Sequence, residues 1–215
     1  MYKLPKREIM QAQCVLLIAI GLQLVAWNVN GQVFTWPQLL IVITEFMLVL
    51  TIGFTINRKT FHERSIHHTA ALVLLGAISA ANFMSLILVL QDLIIVHSGV
   101  GGMQLLMAAL AIFMTNIIVF SLWYWEIDSP GLTRKRWSKN DKDFHFTQQD
   151  MKGQFPEWKP EYMDYLYLSL TNAINFAPAD TKPVTHSAKL LMGSQALVSV
   201  FTLALVLARA VNILN

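Results

Sequence analysis

The sequence predicts an all-α membrane protein with five transmembrane helices and a short re-entrant, pore-like helix before the last of them. Two observations support this prediction. The 215-residue chain is 55% hydrophobic and only 13% charged, whereas charged residues make up about 25% of an average soluble domain. Long apolar runs also recur, and about 20 such residues cross the roughly 30 Å hydrocarbon core of a bilayer. The predicted spans are residues 10–28, 37–56, 69–95, 103–125 and 187–212.

Tryptophans support the proposed span ends, because their amphipathic rings favour the membrane–water boundary. Trp27, Trp36, Trp123 and Trp125 all lie at such ends. The first span follows a basic N-terminal stretch, as the apolar part of a signal peptide would, but its exit WNVNGQ has no small-residue cleavage site. We therefore expect an uncleaved first helix. The lone Cys14 lies in this span and excludes an intrachain disulfide.

Lys and Arg are concentrated on one side of the predicted membrane. They occur in the N-terminal stretch, in the connection between the second and third spans and in the segment after the fourth span, whereas residues 29–36 and 96–102 contain none. An excess of Lys and Arg in short loops stays cytoplasmic. The N-terminus is therefore predicted to be cytoplasmic. The same bias accounts for the pI near 9.0, so the charge does not indicate a nucleic-acid partner.

The spans divide the chain into three regions. Residues 1–126 form a four-helix transmembrane region, 127–160 a polar cytoplasmic segment, and 161–215 a re-entrant helix, loop and final transmembrane helix that together resemble a pore module. The cytoplasmic segment contains more aromatic residues than a plain linker needs, and we expect it to be partly ordered against the inner membrane face. These aromatic residues are Phe144, Phe146, Phe155 and Trp158.

Two charged residues stand out deep within the predicted spans, where ionisable groups are rare and are functional candidates. Glu45 lies about 10 Å from the outer end of the second span, and Arg209 lies about 9 Å from the outer end of the fifth. The matching depths predict an intramembrane charged pair. Such a pair either fixes helix register or takes part in transport, and buried ion pairs commonly have structural roles.

Two amide side chains also lie at matching depths in the predicted membrane. Asn82 and Asn116 each lie about 20 Å from the outer end of their spans, and the short Gly-rich turn HSGVGG makes those spans antiparallel neighbours. A direct interhelical amide bond, worth about 1 kcal/mol, is the expected result.

The sequence gives no positive indication of an enzyme, a metal site or a cofactor. His62, His67 and His68 do not share one helical face, and no nearby cysteine completes a zinc pattern. The phosphate-loop, nucleophile-elbow and zincin motifs are not found in the sequence.

The order of elements in the last quarter of the chain is similar to that of a known membrane-protein module. A segment at 162–175 reaches only about 21 Å as a helix, too short to cross the bilayer. It contains Tyr165-Leu166-Tyr167-Leu168-Ser169-Leu170-Thr171-Asn172-Ala173 and is followed by Asp180, Pro183-Val184-Thr185 and the helix 190–212. This order resembles the pore module of two-transmembrane potassium channels. The whole layout also resembles a family of uncharacterised bacterial inner-membrane proteins.

The region that corresponds to the ion filter differs from that family. Asn175-Phe176-Ala177-Pro178-Ala179 stands where the channels have Thr-Val-Gly-Tyr-Gly. The two glycines allow backbone conformations that Ala adopts only at a cost, and Pro178 fixes φ near −65°. The predicted orientation also places the hairpin on the cytoplasmic side, whereas those channels insert it from outside. A standard potassium filter is therefore not expected.

Two functions follow from the sequence. The first is a channel-like protein, a homo-oligomer in the bilayer, that conducts monovalent cations or protons without a standard filter. The alternative is a non-conducting membrane scaffold or interaction protein with a buried structural hairpin, whose amides are satisfied internally. The pore-like candidates are Thr171, Asn172, Asn175, Phe176, Pro178 and Asp180.

Overall fold

The computed structural model describes residues 6–29, 36–55, 61–94, 102–128, 142–151, 153–176 and 180–214. Helix dominates this part of the chain, as the sequence predicts. The elements are α1 (Lys6–Val29), α2 (Trp36–Thr55), α3 (Phe61–Ile94), α4 (Gly102–Ile127), β1 (Phe144–Phe146), a 3₁₀ turn (Thr147–Gln149), α5 (Tyr162–Asn175), β2 (Thr181–Pro183) and α6 (His186–Leu214).

Three of the described helices are long and apolar enough to cross a membrane. Their apolar stretches are Thr69–Gln91 in α3, Gly102–Ile127 in α4 and His186–Ala208 in α6. Helices α1 and α2 occupy the other two predicted spans, and the described apolar stretch of α2, Leu39–Leu50, is shorter. The chain is thus a helical membrane protein, and crossing by α1 and α2 stays a prediction.

Helix α4 is the centre of the bundle. In the most apolar 18 residues of its stretch 72% are buried inside the protein, against 39% in α3 and 28% in α6. It packs against α1, α3, α5 and α6. Its C-terminal turns carry the largest buried side chains, Tyr124 and Trp125. An all-round apolar sequence makes such a central position favourable, because α4 has no polar face to present to water.

The segment 127–160, which the sequence predicts to be cytoplasmic, contains a strand that the all-α prediction missed. Strand β1 pairs antiparallel with β2, and Phe144 lies opposite Pro183 and Phe146 opposite Thr181. Alternate residues of a strand point to the same face, so both phenylalanines are directed into the protein, where they are buried. The ring of Phe144 lies 5.1 Å from that of Tyr124. The aromatic residues of this segment therefore attach it to the helices.

Helix α5 has the bounds that the sequence predicts for the short helix. At its start, the backbone N–H of Glu161 donates to Asp164 Oδ2 at 2.7 Å. At its end, Phe176 adopts the left-handed region with φ 58°, and its N–H donates to the Asn172 carbonyl at 3.2 Å. A left-handed residue stops a helix, and a non-glycine residue there is uncommon. The chain turns sharply at this point.

Replacing Phe146 by Ala should destabilise the protein by about 3–5 kcal/mol, the usual cost of removing a buried aromatic ring. Its ring lies 5.5 Å from the rings of both Trp158 and Tyr165. Phe155→Ala is the matched control, because Phe155 is 43% exposed in the same segment. Thermal unfolding in detergent would measure both. Equal losses for the two variants would contradict the attachment of this segment through Phe146.

Candidate functional site

The buried face of α5 is polar. Ser169 and Asn172 from α5 meet Tyr124 from α4 and Gln195 from α6, and each of these four side chains is at most 2% exposed. We call these four residues the α5 polar cluster. Because buried polar groups are costly unless they are hydrogen-bonded, the bonds within this cluster determine how α5 sits in the bundle.

Gln195 connects the cluster. Its Oε1 accepts from Asn172 Nδ2 at 2.8 Å and from the Tyr124 hydroxyl at 2.5 Å. Its Nε2 donates to Ser169 Oγ at 2.6 Å and to the Ser169 carbonyl at 3.0 Å. A single side chain of α6 thus bonds both α4 and α5.

Asn172 and Ser169 complete the cluster through backbone carbonyls of the neighbouring helices. Asn172 Nδ2 also donates to the Met192 carbonyl of α6 at 3.0 Å. Ser169 Oγ donates to the Ile117 carbonyl of α4 at 2.7 Å. Helix α5 is therefore bonded to α4 on one side and to α6 on the other.

These contacts measure how far α5 reaches along the bundle. Ile117 lies about 15 Å from Ile127 at the end of α4, and Gln195 lies about 14 Å from His186 at the start of α6, at 1.5 Å per residue. The two distances agree because α4 and α6 are antiparallel. Ala173, near the end of α5, packs in one cluster with Phe113, about 21 Å from Ile127, so α5 extends to about half of the roughly 39 Å apolar stretch of α4.

The chain on both sides of α5 is bonded to the same end of the bundle. Tyr165 donates to Asp128 Oδ2 at 2.6 Å, and Asp128 Oδ1 accepts from the Asp143 N–H at 2.9 Å. Burial raises the pKa of Asp128, which follows the last residue of α4. On the other side of α5, the Asp180 carbonyl accepts from the Thr147 N–H at 3.1 Å. The residues before and after α5 therefore lie together.

The Pro183-Val184-Thr185 motif prepares the start of α6. The N–H of Val184 donates to the Asp143 carbonyl at 2.8 Å. Thr185 Oγ1 accepts from the Ala188 N–H at 3.3 Å, as expected of a residue that caps a helix start, and its hydroxyl donates to Asp143 Oδ1. A carboxylate near a helix N-terminus is favourable.

The opposite face of α5 is apolar and exposed. Its members recur at helical spacing and form one stripe. They are Met163 (47% exposed), Tyr167 (54%), Leu170 (39%) and Ile174 (50%). A helix that lines a water-filled path would turn polar side chains outward, whereas Ser169 and Asn172 of α5 lie inside the bundle.

The predicted pore-like residues are not brought to one surface. The Thr171 hydroxyl donates to carbonyls of its own helix, those of Tyr167 and Leu168. Asn172 is buried in the polar cluster, and its role as a pore contact stays a prediction. Asn175 and Phe176 are exposed at the end of α5, and Asp180 is half-buried. Pro178 lies outside the described residues.

The predicted interhelical amides bond other helices but not each other. Asn82 Nδ2 donates to the Ile112 carbonyl of α4 at 3.3 Å, and Asn116 Nδ2 donates to Ser199 Oγ of α6 at 2.9 Å. Each amide thus links two helices, as expected. The prediction of a direct bond between the two amides was wrong, because Asn82 donates to a backbone carbonyl and Asn116 donates to a hydroxyl.

Only one member of the predicted charged pair has a described side chain. Glu45 is fully buried in α2, and the side chain of Arg209 lies outside the described residues, so their pairing stays a prediction. The side chains of His62, His67 and His68 lie outside them as well. Among the residues that are described, no group of three His, Cys, Asp or Glu side chains could hold a metal ion.

Sequence reasoning missed three members of the cluster. Gln195 offered a signal, because it is a polar residue at bilayer depth in the fifth predicted span and could have been matched with Asn172. Tyr124 and Ser169 offered none, because Tyr near a span end and Ser in a helix have many ordinary explanations.

Comparison with known proteins gives no relative. No protein-family model matches the chain, and neither a curated protein nor a solved structure does. The site must be interpreted from its geometry.

A second buried group lies at the start of α5. Glu8 of α1 precedes the first predicted span and is 1% exposed, and its carboxylate accepts from the backbone N–H of Tyr162. Burial, the nearby Glu161 and, more weakly, Asp164 raise the pKa of Glu8 to about 7. Glu8 thus connects α1 to the start of α5 in a manner that depends on its protonation.

Asn172→Leu should destabilise the protein by about 1–3 kcal/mol, because Leu removes the buried hydrogen bonds that Asn172 donates to Gln195 Oε1 and to the Met192 carbonyl. Asn175→Leu is the matched control, in the same helix but exposed, and should change the free energy of unfolding by less than about 0.5 kcal/mol. Chemical or thermal unfolding in detergent measures both. A harmless Asn172→Leu would show that the cluster does not hold α5.

Glu8→Gln should remove a pH dependence of stability. Because the pKa of Glu8 is higher in the folded than in the unfolded state, the folded wild type is favoured at low pH and loses stability as pH rises from about 4.5 to about 7. The variant should lose less stability over this interval and exceed the wild type by up to about 3 kcal/mol above pH 7, while the raised pKa of Asp128 contributes equally to both curves. Melting curves between pH 4.5 and 8 test this, with the exposed Glu157→Gln as control. Parallel curves for wild type and Glu8→Gln would contradict it.

Proposed function

We propose that this protein is a non-conducting membrane scaffold or interaction protein in which α5 is a buried structural hairpin. The observation that carries this proposal is the polarity of α5. Its buried polar side chains, Ser169 and Asn172, face α4 and α6 and are hydrogen-bonded there, while the exposed stripe is apolar. A lipid or protein surface suits such a stripe, whereas water does not.

The same geometry supports a re-entrant placement of α5 in a bundle of five spans. Helix α5 reaches about halfway along α4, and the β1–β2 pairing joins residues before α5 to residues after it at one end of the bundle. Non-helical backbone at membrane depth is tolerated where protein satisfies its polar groups. The described part of the return, residues 180–184, is hydrogen-bonded in this way to residues 143–147.

The Lys and Arg distribution supports a cytoplasmic location for that end, in an inner membrane of bacterial type. The N-terminus and residues 127–160 would then be cytoplasmic and the C-terminus outside. The exposed α5 stripe would lie at the cytoplasmic half of the bilayer, where it would contact lipid or another chain.

Conduction is the competing hypothesis. It would need a homo-oligomer whose copies join their exposed Asn175 and half-buried Asp180 into a polar path for cations or protons. Amide and carboxylate oxygens suit such ions, but each α5 would present its apolar stripe beside them. For this reason the scaffold is favoured.

The orientation predicts the outcome of cysteine labelling. In a Cys14→Ser background, Ser138→Cys should react with a membrane-impermeant maleimide only after the inner membrane is opened, because residue 138 lies in the Lys- and Arg-rich segment. Asn30→Cys should react in intact cells whose outer membrane has been permeabilised. Labelling of Ser138→Cys in intact cells would overturn the orientation.

Proteoliposomes test conduction. Wild-type protein should give no K⁺, Na⁺ or H⁺ flux above empty liposomes, and Asp180→Asn should not differ from it. A known ionophore added at the end verifies that an ion gradient was present. Asp150→Asn, in the segment before α5, is the control substitution. Flux in the wild type that Asp180→Asn changes and Asp150→Asn leaves unaltered would replace the scaffold by the channel.

A further inference from the structure

A cavity of about 370 Å³ lies between α3, α4 and α6. Its volume falls in the range of small-molecule sites, about 300–1,000 Å³. Its walls are mostly apolar and include Phe83 of α3, Val119 of α4 and Leu197 of α6. The cavity does not overlap the α5 polar cluster, since none of that cluster's four residues lines it.

The cavity lies near the middle of the three helices that are long enough to cross a membrane. Asn116 of α4, in its wall, is about 17 Å from Ile127, and Asn82 of α3 is about 14 Å from Gln91, at 1.5 Å per residue. The hydrocarbon core is roughly 30 Å thick. A molecule that occupies this cavity would therefore arrive from the bilayer, and this step rests on the membrane placement proposed above.

Most hydrogen-bond donors in the wall are already used inside the protein. Ser79 donates to the Leu75 carbonyl at 2.8 Å, and Ser194 donates to the Leu190 carbonyl at 2.8 Å. Ser79 Oγ already accepts from Trp123 Nε1 at 3.0 Å and keeps one lone pair, whereas Ser194 Oγ keeps both. The cavity can therefore take a donor more readily than an acceptor.

Asn116 adds to the preference of the cavity for a hydrogen-bond donor. Its Nδ2 donates to Ser199 Oγ at 2.9 Å and to the Gln195 carbonyl at 3.4 Å. Its Oδ1 is buried and has no hydrogen-bond partner among the described residues. A buried acceptor without a donor is unfavourable, so a ligand hydroxyl at this wall would relieve that cost.

We propose that this cavity binds an apolar molecule that carries a hydroxyl group and enters from the bilayer. The apolar walls hold its hydrocarbon part, and the hydroxyl donates to Asn116 Oδ1 or to a serine oxygen. At about 30 Å³ for a water-sized group, the volume holds roughly a dozen such groups. A chain of about twelve carbon atoms is therefore a suitable probe.

Photolabelling in phosphatidylcholine nanodiscs tests the proposal. The probe is 1-dodecanol with a mid-chain diazirine, and the matched probe is its methyl ether, which cannot donate. The alcohol should label peptides containing residues 79–83, 116–120 and 194–198 about fivefold more than the ether, as expected for one hydrogen bond. Equal labelling by the two probes would overturn the proposal and leave a lipid-facing surface.

Cavity-filling variants give a second readout. Ala80→Phe and Ser194→Leu place bulk in the wall and should lower alcohol labelling to the ether level. Leu190→Phe is the control, because Leu190 is 72% exposed on the same helix and lies outside the cavity wall. Unchanged labelling in both filling variants would contradict the site.

Competition on the wild type covers the case in which a filling variant does not fold. Unlabelled 1-dodecanol should displace the probe, and dodecyl methyl ether should not; displacement by both would contradict the site. Neither photolabelling nor competition depends on ion flux. The ligand site and the scaffold function can therefore be contradicted independently.

Discussion

The bond between Asn172 and Gln195 is the interaction on which the arrangement of the C-terminal half depends. A short helix with a polar face can be inserted among apolar helices only if each buried polar group finds a partner. Gln195 supplies both a donor and an acceptor, so one side chain satisfies Asn172, Tyr124 and Ser169 together. Because these three belong to α4 and α5, the requirement fixes the depth and rotation of α5 between α4 and α6.

The position of β1 and the residues around it depends on that constraint. Once α5 is held, the residues before and after it must meet at one end of the bundle, and the β1–β2 pairing joins them there. Phe144 and Phe146 then close over Tyr124 and Tyr165, so the aromatic residues of the segment cover the base of the hairpin. The Asp128 carboxylate accepts both the Tyr165 hydroxyl and the Asp143 N–H, which ties α4, α5 and the strand segment together. Binding of an ion is not needed to explain any of these polar contacts.

Much of the helical organisation could be predicted, because hydrophobic run length reports it directly. The bounds of α5 followed from a run that is too short to cross and is followed by a proline-rich loop. What could not be predicted was which way its side chains face: Asn172 and Asn175 are both amides in one helix, yet one is enclosed and the other exposed. The strand was missed because three residues of Phe-His-Phe carry almost no local signal, and its pairing with Thr181–Pro183 depends on the turn at Phe176. The prediction of an Asn82–Asn116 bond was wrong because equal depth in the membrane does not determine how each helix is rotated about its axis.

A resemblance in outline therefore does not determine function. Pore modules and structural hairpins share a short helix, a loop and a long helix, and they differ in the side of the short helix that bears the polar groups. A double-mutant cycle between Asn172 and Gln195, both changed to Leu, measures this difference directly. If the two residues form the buried contact that holds α5, the double variant should be more stable than the sum of the single losses predicts, with a coupling of about 1–3 kcal/mol. Additive losses, with no coupling between the two positions, would contradict the account.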